Sequence, residues 1–365
     1  MEPLKLGLIG FGKMGKNHLR TLIKIPESVV VTAICDCDLD LSDIPEAKDI
    51  PVFTDYNELI NSGLCEAIGV STPHPCHAEI SIAAMQKGLD VMCEKPVSER
   101  VSKADALLAS AQSTGRVLCT NFAMRTYAIN QIVRDWIQSG KLGRILRADF
   151  VCTNWIRAQC YYDKQNWRGR WLGEGGGVLM NQAPHNLDLL YYWFGEMESV
   201  RGTIGVRHHD IETEDEVEAT FITRAGFPVR FYATTGEAPG VDRIEIFGEN
   251  GTLVRELGKL TFRKPDKTVP EMIGGDIQFP TYQTEEIEVP IPTQPEGREV
   301  VWKNFAKVIR EGGELVAPGT EAIHAVEFAN AITLSHFEKR PIAFPVDRAA
   351  YDALLDSLIR KERSL

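Results

Sequence analysis

The sequence predicts an α/β chain whose N-terminal third is a Rossmann-type, doubly wound parallel sheet, followed by an α+β domain with a mainly antiparallel, open sheet. Three observations predict it. Short apolar runs alternate with helical segments up to residue 120, a glycine-rich turn follows the first run, and strands separated by turn residues take over after residue 215. Parallel strands need crossover helices, so the first pattern implies helices on both faces of one sheet, with ligands at the carboxyl ends of the strands.

The expected strands of the first sheet are Leu4 to Ile9, Val29 to Cys35, Ala67 to Ser71, Asp90 to Glu94 and Val117 to Thr120. Between the first two lies Gly10-Phe11-Gly12-Lys13-Met14-Gly15. Gly10 permits the tight strand-to-helix turn, Gly12 lets backbone approach a diphosphate, and Gly15 lets the helix pack on the strand; the helix N-terminus then offers free N–H groups to the phosphates. Asp36 ends the second strand, 21 positions after Gly15, at the offset where a carboxylate accepts ribose hydroxyls. No arginine follows in Cys37 to Asp40, and the carboxylate would repel a 2′-phosphate. NAD is therefore the expected cofactor, and NADP is disfavoured. Ser102 with Asp105 reads as a helix N-cap and Gly115 as the end of that helix.

From residue 121 the pattern changes to a long insert-like stretch and then a strong helix from Val178 to Phe194. Glu216 to Thr223, Val229 to Thr234, Arg243 to Gly248 and Gly251 to Glu256 read as antiparallel strands, with a turn at Glu249-Asn250-Gly251. Residues 264 to 297, rich in Pro and Gly, read as surface loop and irregular edge strand. Val300 to Glu311 and Thr320 to Glu338 read as closing helices. The chain thus divides into 1–121, expected to bind dinucleotide, and 122–365, expected to bind substrate and to self-associate.

Composition bounds the function. Forty basic against 51 acidic side chains give a net charge of −11, which argues against nucleic acid or anionic membrane as partner. No apolar run approaches the ~20 residues needed to cross a bilayer, and Met1-Glu2-Pro3 leads straight into a strand. A cytoplasmic location is expected. All eight cysteines precede residue 161 and none forms a C-x-x-C pair, so a reducing compartment and no metal site are expected. The acids Glu212 to Glu218 read as a solvated strand start.

Three constellations converge on the mouth of the first sheet. Ser71-Thr72-Pro73-His74-Pro75-Cys76-His77 follows a strand, and either lines the nicotinamide side of the cleft or is a rigid proline turn. Glu94-Lys95-Pro96 follows another; a lysine there can orient a substrate hydroxyl and stabilise alkoxide character as hydride leaves carbon. Behind Gly175-Gly176-Gly177, the residues Asn181, His185 and Asp188 are spaced to share a helix face, and a histidine near its free pKa is a natural acceptor of the hydroxyl proton. Trp155, Arg157, Tyr162, Trp167 and Arg168 offer aromatic faces beside cations, which suits either a sugar or a subunit contact.

Together these motifs make the chain resemble the Gfo/Idh/MocA family, the glucose-fructose oxidoreductase and inositol dehydrogenase group, over essentially its whole length. The resemblance adds Asn121 and Arg125, after the fifth expected strand, to the cofactor and substrate residues respectively. It also implies a homo-oligomer, with Lys95 and His185 serving the reacting carbon. The sequence departs from the commoner pattern by carrying Asn181 where many members have aspartate; asparagine holds a hydroxyl or orients His185 but accepts no proton. The Asn-Gln-x-x-His form resembles the subgroup that oxidises C3 of sugars or glycosides. The expected activity is hydride transfer between NAD and a secondary hydroxyl of a sugar, glycoside or cyclic polyol. The alternatives are glycosidic-bond elimination through a transient 3-keto sugar, and a non-catalytic regulator that binds dinucleotide or sugar.

Overall fold

The computed structural model describes residues 2–39, 41 and 44–363; Asp40, in the run after Asp36, lies outside them. Six strands form the first sheet: β1 (Leu4–Ile9), β2 (Val29–Cys35), β3 (Val52–Phe53), β4 (Ala67–Val70), β5 (Asp90–Cys93) and β6 (Leu118–Thr120). They lie in the order β3-β2-β1-β4-β5-β6, and every pair is parallel. The order reverses between β1 and β4, so the crevice outside their carboxyl ends is the switch point at which such sheets bind ligands. β4 and β5 are buried throughout, as strands covered on both faces must be.

Nine strands form the second sheet: β7 (Ile145–Cys152), β8 (Met197–Gly205), β9 (Glu216–Thr223), β10 (Pro228–Thr234), β11 (Asp242–Gly248), β12 (Gly251–Glu256), β13 (Lys259–Pro265), β14 (Thr284–Glu288) and β15 (Ile342–Ala343). Their order is β14-β13-β12-β11-β7-β10-β9-β8-β15, antiparallel except for β7 with β10. One face is apolar: Phe150, Phe221 and Phe231 are buried, and Phe150 packs against Trp193 of the helix Pro184–Phe194 at 5.7 Å. Phe328 of the helix Gly319–Glu338 meets Phe221 at 5.3 Å on the same face.

β7 sits in the middle of this sheet, inside the stretch that reads as an insert. Its Ala148, Phe150 and Cys152 are buried at alternate positions, the period-2 signal of a strand. The helix expected over 178–194 is two helices, Val178–Asn181 and Pro184–Phe194. Pro184 cannot donate a backbone hydrogen bond and starts the second, while the Ala183 N–H closes a wider turn on the Val178 carbonyl at 2.8 Å. Ser102 is no N-cap: its helix starts at Val101 and its hydroxyl bonds Asp352. Gly115 does end that helix, at φ +66°.

The helix Arg298–Glu311 returns to the first sheet. Val301, Trp302 and Phe305 are buried among Leu4, Leu6 and Leu8, and the Trp302 indole N–H donates to His18 Nδ1 at 3.0 Å. This helix, remote in sequence, thereby pins the crossover helix Lys13–Leu22 against the first sheet. Residues 264–297 hold the short helix Val269–Ile273 and the edge strand β14. The acids of 212–218 are not a solvated run, because Glu214 and Asp215 are fully buried.

Candidate active site

The glycine turn is built as its sequence implies. Gly10 has φ +87°, and a Cβ there would meet the Thr72 nitrogen at 2.5 Å; one on Gly15 would meet the Gly10 carbonyl at 2.1 Å. Gly10 and Gly15 are therefore dictated by contacts within the protein. Gly12 is different: a Cβ on it would meet nothing within 4 Å, and it starts the helix Lys13–Leu22 with no side-chain cap. That open cradle over uncapped N–H groups, with Lys13 exposed and Met14 half-buried beside it, fits a dinucleotide diphosphate. Asp36 stands at the lip, where its carboxylate accepts the Phe11 N–H at 2.5 Å and the Asp38 N–H at 3.0 Å. Buried Phe11 is thus held by the Asp36 carboxylate.

The loop after β4 closes onto this turn. Ser71 Oγ donates to the Gly10 carbonyl at 2.7 Å, and the Thr72 hydroxyl is buried without a protein partner. Pro73 precedes the helix His74–Gln86. His77 lies between the carbonyls of Thr72 and Pro96, 2.7 Å from each, and clamps the β4 loop to the β5 loop. Burial holds both His77 and His74 below the ordinary histidine pKa.

Glu94 and Lys95 end β5. Glu94 is buried and fully engaged: Oε1 bonds His18 Nε2 at 2.8 Å and accepts from Asn121 Nδ2 at 2.6 Å, and Oε2 accepts the Lys95 N–H at 3.1 Å. Burial alone would raise its pKa, but the hydrogen bond from His18, the charge of Lys95 and the Asn121 amide hold it well below the carboxylate range. Asn121 Oδ1, beside it, is buried and unpartnered. Lys95 Nζ crosses the cleft to the Asn181 carbonyl, 2.7 Å away. Burial lowers the Lys95 pKa against the opposing fields of Glu94 and Glu174.

The opposite wall comes from residues 155–185. His185 meets Phe122 edge to face at 5.9 Å, and its Nδ1 is buried without a partner. Burial, then the positive charge of Lys95, with Arg298 adding to it, push its pKa down to about 3. It is a neutral imidazole at physiological pH, which corrects the expectation of a histidine near its free pKa. Asn181 donates from its amide to Glu174, a residue sequence reading missed. Glu174 also accepts the Gly169 N–H at 2.8 Å and lies 3.6 Å from Arg168. Burial raises its pKa to about 7 against those donors.

Arg168 stacks between Trp167 at 4.2 Å and Tyr161 at 4.4 Å, and it bonds the Tyr161 hydroxyl, which lies 3.5 Å from Asn181 Oδ1. Trp167 meets His74 edge to face, joining this wall to the β4 loop. Arg157 donates to the Trp155 carbonyl at 3.0 Å, and Trp155 is half-buried against the core. The Tyr162 hydroxyl is spent on Thr235 at 3.1 Å, so Tyr161 is the tyrosine that faces Asn181.

Arg125 does not line the cleft. It is buried in a bidentate pair with Asp188, at 2.6 and 2.8 Å, and a further bond to Glu321. The expectation of a substrate contact gives way to an internal ion pair that joins three elements and engages both oxygens of Asp188. Glu214, also missed, accepts the N–H groups of Gly177 and Leu179 and so holds the triple-glycine loop. A Cβ on Gly177 would meet the Glu214 carbonyl at 1.8 Å. An acid immediately before three glycines was the available sign of Glu174. Among the described residues, no group of three or more His, Cys, Asp or Glu side chains is placed to hold a metal, and no helix is long and apolar enough to cross a membrane.

A parallel sheet with an open glycine cradle at its switch point, facing a lysine and a neutral histidine across a cleft, defines a two-domain dinucleotide-dependent oxidoreductase. Family models agree: residues 4–122 match the NAD-binding Rossmann domain of the GFO/IDH/MocA oxidoreductases, and residues 130–254 match the C-terminal domain of the same family. The chain belongs to the GFO/IDH/MocA family. It is 25% identical to a 1,5-anhydro-D-fructose reductase of Ensifer adhaerens, over 76% of this chain and 80% of that protein. It is 24% identical to a scyllo-inositol 2-dehydrogenase (NADP(+)) of Bacillus subtilis, over 94% and 96%. Among solved structures, the WlbA dehydrogenase of Bordetella pertussis in complex with NADH and UDP-GlcNAcA superposes with a TM-score of 0.81 at 26% identity, covering 94% of this chain and all of that one.

Proposed function

We propose that this chain transfers hydride between NAD and a secondary hydroxyl, at C3, of a sugar, glycoside or cyclic polyol. The observation that carries the reading is the crossing of the cleft by Lys95 from the end of β5 to the Asn181 carbonyl, with buried His185 in its field, in a chain whose Gly12 cradle is open. The relatives, an anhydrofructose reductase and an inositol dehydrogenase, support the substrate class. The WlbA complex supports a sugar bound beside the dinucleotide.

Gly10 to Gly15, with Phe11, Lys13 and Met14, cradle the diphosphate; Asp36 receives the ribose; and Ser71, Thr72, Pro73, His77, Glu94 and Asn121 wall the nicotinamide side. The nicotinamide supplies the hydride acceptor. Lys95 donates to the substrate oxygen and stabilises it as alkoxide while the C–H bond breaks. His185, neutral and with a pKa near 3, holds the hydroxyl as a hydrogen-bond acceptor and passes a proton on rather than storing it. Asn181 fixes Lys95 through its carbonyl, and Trp155, Arg157, Trp167 and Arg168 receive the rest of the sugar. Asp36 makes NAD the preferred cofactor, although the Bacillus relative is named for NADP(+). Residues 1–121 hold the cofactor, residues 122–365 hold substrate and build a homo-oligomer, and the protein works in the cytoplasm.

The test is incubation with NAD and a panel of methyl hexosides, nucleotide sugars and inositols, followed by mass spectrometry. A product lighter by two hydrogens is expected from one class. Free aglycone without ketone or net NADH would instead establish elimination, and no change across the panel would overturn the reading.

A further inference from the structure

We propose that Glu174 is a positioning residue: a counter-charge that acts through Asn181 to hold Lys95 in place and to set its protonation state. The inference rests on Lys95 serving the reacting carbon.

Asn181 is a two-sided bridge. Its backbone carbonyl accepts the Lys95 ammonium at 2.7 Å, and its side-chain amide donates to Glu174 Oε1. The other Glu174 oxygen is fixed by the Gly169 N–H at 2.8 Å. Lys95 has two carboxylates in its field, Glu94 and Glu174. Glu94 accepts His18, Asn121 and the Lys95 backbone, and those donors keep it charged, so it supplies a constant field. Glu174 has fewer donors, and its proton comes and goes near neutrality. A buried ammonium is stabilised by a nearby carboxylate and destabilised when that carboxylate is protonated. Glu174 therefore occupies the position from which the charge of Lys95 can be changed without touching substrate. Asparagine at 181 is compatible with this arrangement because it needs to bridge, not to titrate.

The other groups around Glu174 act on it in known directions. Arg168, at 3.6 Å, favours its carboxylate; buried Glu214, just before β9, opposes it; His74 holds its backbone carbonyl at 2.9 Å; Tyr161 and Tyr162, on the short helix Gln159–Asp163, feel its charge.

The experiment is competitive labelling of the full-length protein with acetic anhydride over a pH series. Lys95 acetylation is read by peptide mass spectrometry against exposed Lys267, in wild type, Glu174→Gln and Glu174→Asp. It needs no substrate, so it stands or falls separately from the sugar panel. In Glu174→Gln, Lys95 should label about tenfold faster near pH 8, because loss of the counter-charge lowers its pKa further. Glu174→Asp, which keeps the charge, should stay within about threefold of wild type. If Glu174→Gln does not fold, Glu174→Met carries the same expectation. An unchanged Lys95 profile in a folded neutral variant, or equal shifts in the neutral and Asp variants, would overturn the proposal.

Discussion

The two walls of the cleft each bring one buried carboxyl group to Lys95, and the two behave in opposite ways. On the cofactor wall, Glu94 accepts three hydrogen bonds, one from the ammonium-bearing residue itself, and stays charged. On the substrate wall, Glu174 is buried as deeply but has the Gly169 N–H, one amide and a more distant guanidinium, and its pKa rises to about 7. Burial is common to both, so the supply of donors decides which carboxyl is fixed and which titrates. The cofactor wall is a permanent electrostatic frame, and the substrate wall is adjustable.

The largest effect should come from the residue between the walls. Lys95→Ala is expected to lower turnover about a thousandfold, within the range for removing a polarising or proton-transferring group, while NAD affinity measured by fluorescence titration changes less than about threefold. Equal losses in both would place Lys95 in cofactor binding instead. Next, Glu94→Gln leaves the buried His18, Asn121 and Trp302 network with a neutral acceptor, and should cost about 2 kcal/mol in urea unfolding, the range for hydrogen bonds to a buried charged group. If it costs no more than Glu174→Gln, the contrast between a frame and an adjustable wall fails. Asp36→Arg should move the ratio of NAD to NADP affinities at least about tenfold toward NADP, which is about 1.4 kcal/mol. An unchanged ratio would show that the ribose is read elsewhere.

The smallest effect is a pH slope. Glu174 and Glu214 both rise from an ordinary 4.5 to about 7, so between those values the folded state binds protons that the unfolded chain has released. Their contribution to stability therefore declines as pH rises from 4.5 to 7. Glu94 has the opposite sign: its contribution is full above 4.5 and is lost as pH falls. Urea midpoints over a pH series should show the neutral-range decline flattened in Glu214→Gln, with the acid-side loss intact.

How much of this was legible in the sequence follows the same division. The cofactor wall is written in contiguous motifs, so the Gly10 to Gly15 turn, Asp36, the Ser71 to Pro73 turn and Glu94-Lys95 lie at the ends of their strands, and β1 and β2 have their expected bounds, whereas His74 to His77, read as part of the turn, open the helix His74–Gln86. The substrate wall is assembled from distant pieces. Glu174 matters only because a broken helix brings Asn181 to it, and Pro184 after a run of helix formers was the overlooked sign of that break. His185 was found by its motif, but its lowered pKa depends on burial and on Lys95, 90 positions earlier, which no local pattern encodes. Arg125 was misplaced for the same reason, since its partners Asp188 and Glu321 are remote in sequence. β7 was missed because Val151, apolar but only half-buried, stands between buried Phe150 and Cys152 and blurs the alternation.

The most direct test of the central claim is rapid mixing of the NAD-loaded protein with each sugar and polyol of the panel, following NADH absorbance in wild type and Lys95→Ala. The account predicts NADH from one substrate class in wild type and a rate about a thousandfold lower in the variant, with NAD still bound to both. Equal rates in the two proteins would contradict it, as would the absence of NADH from every member of the panel.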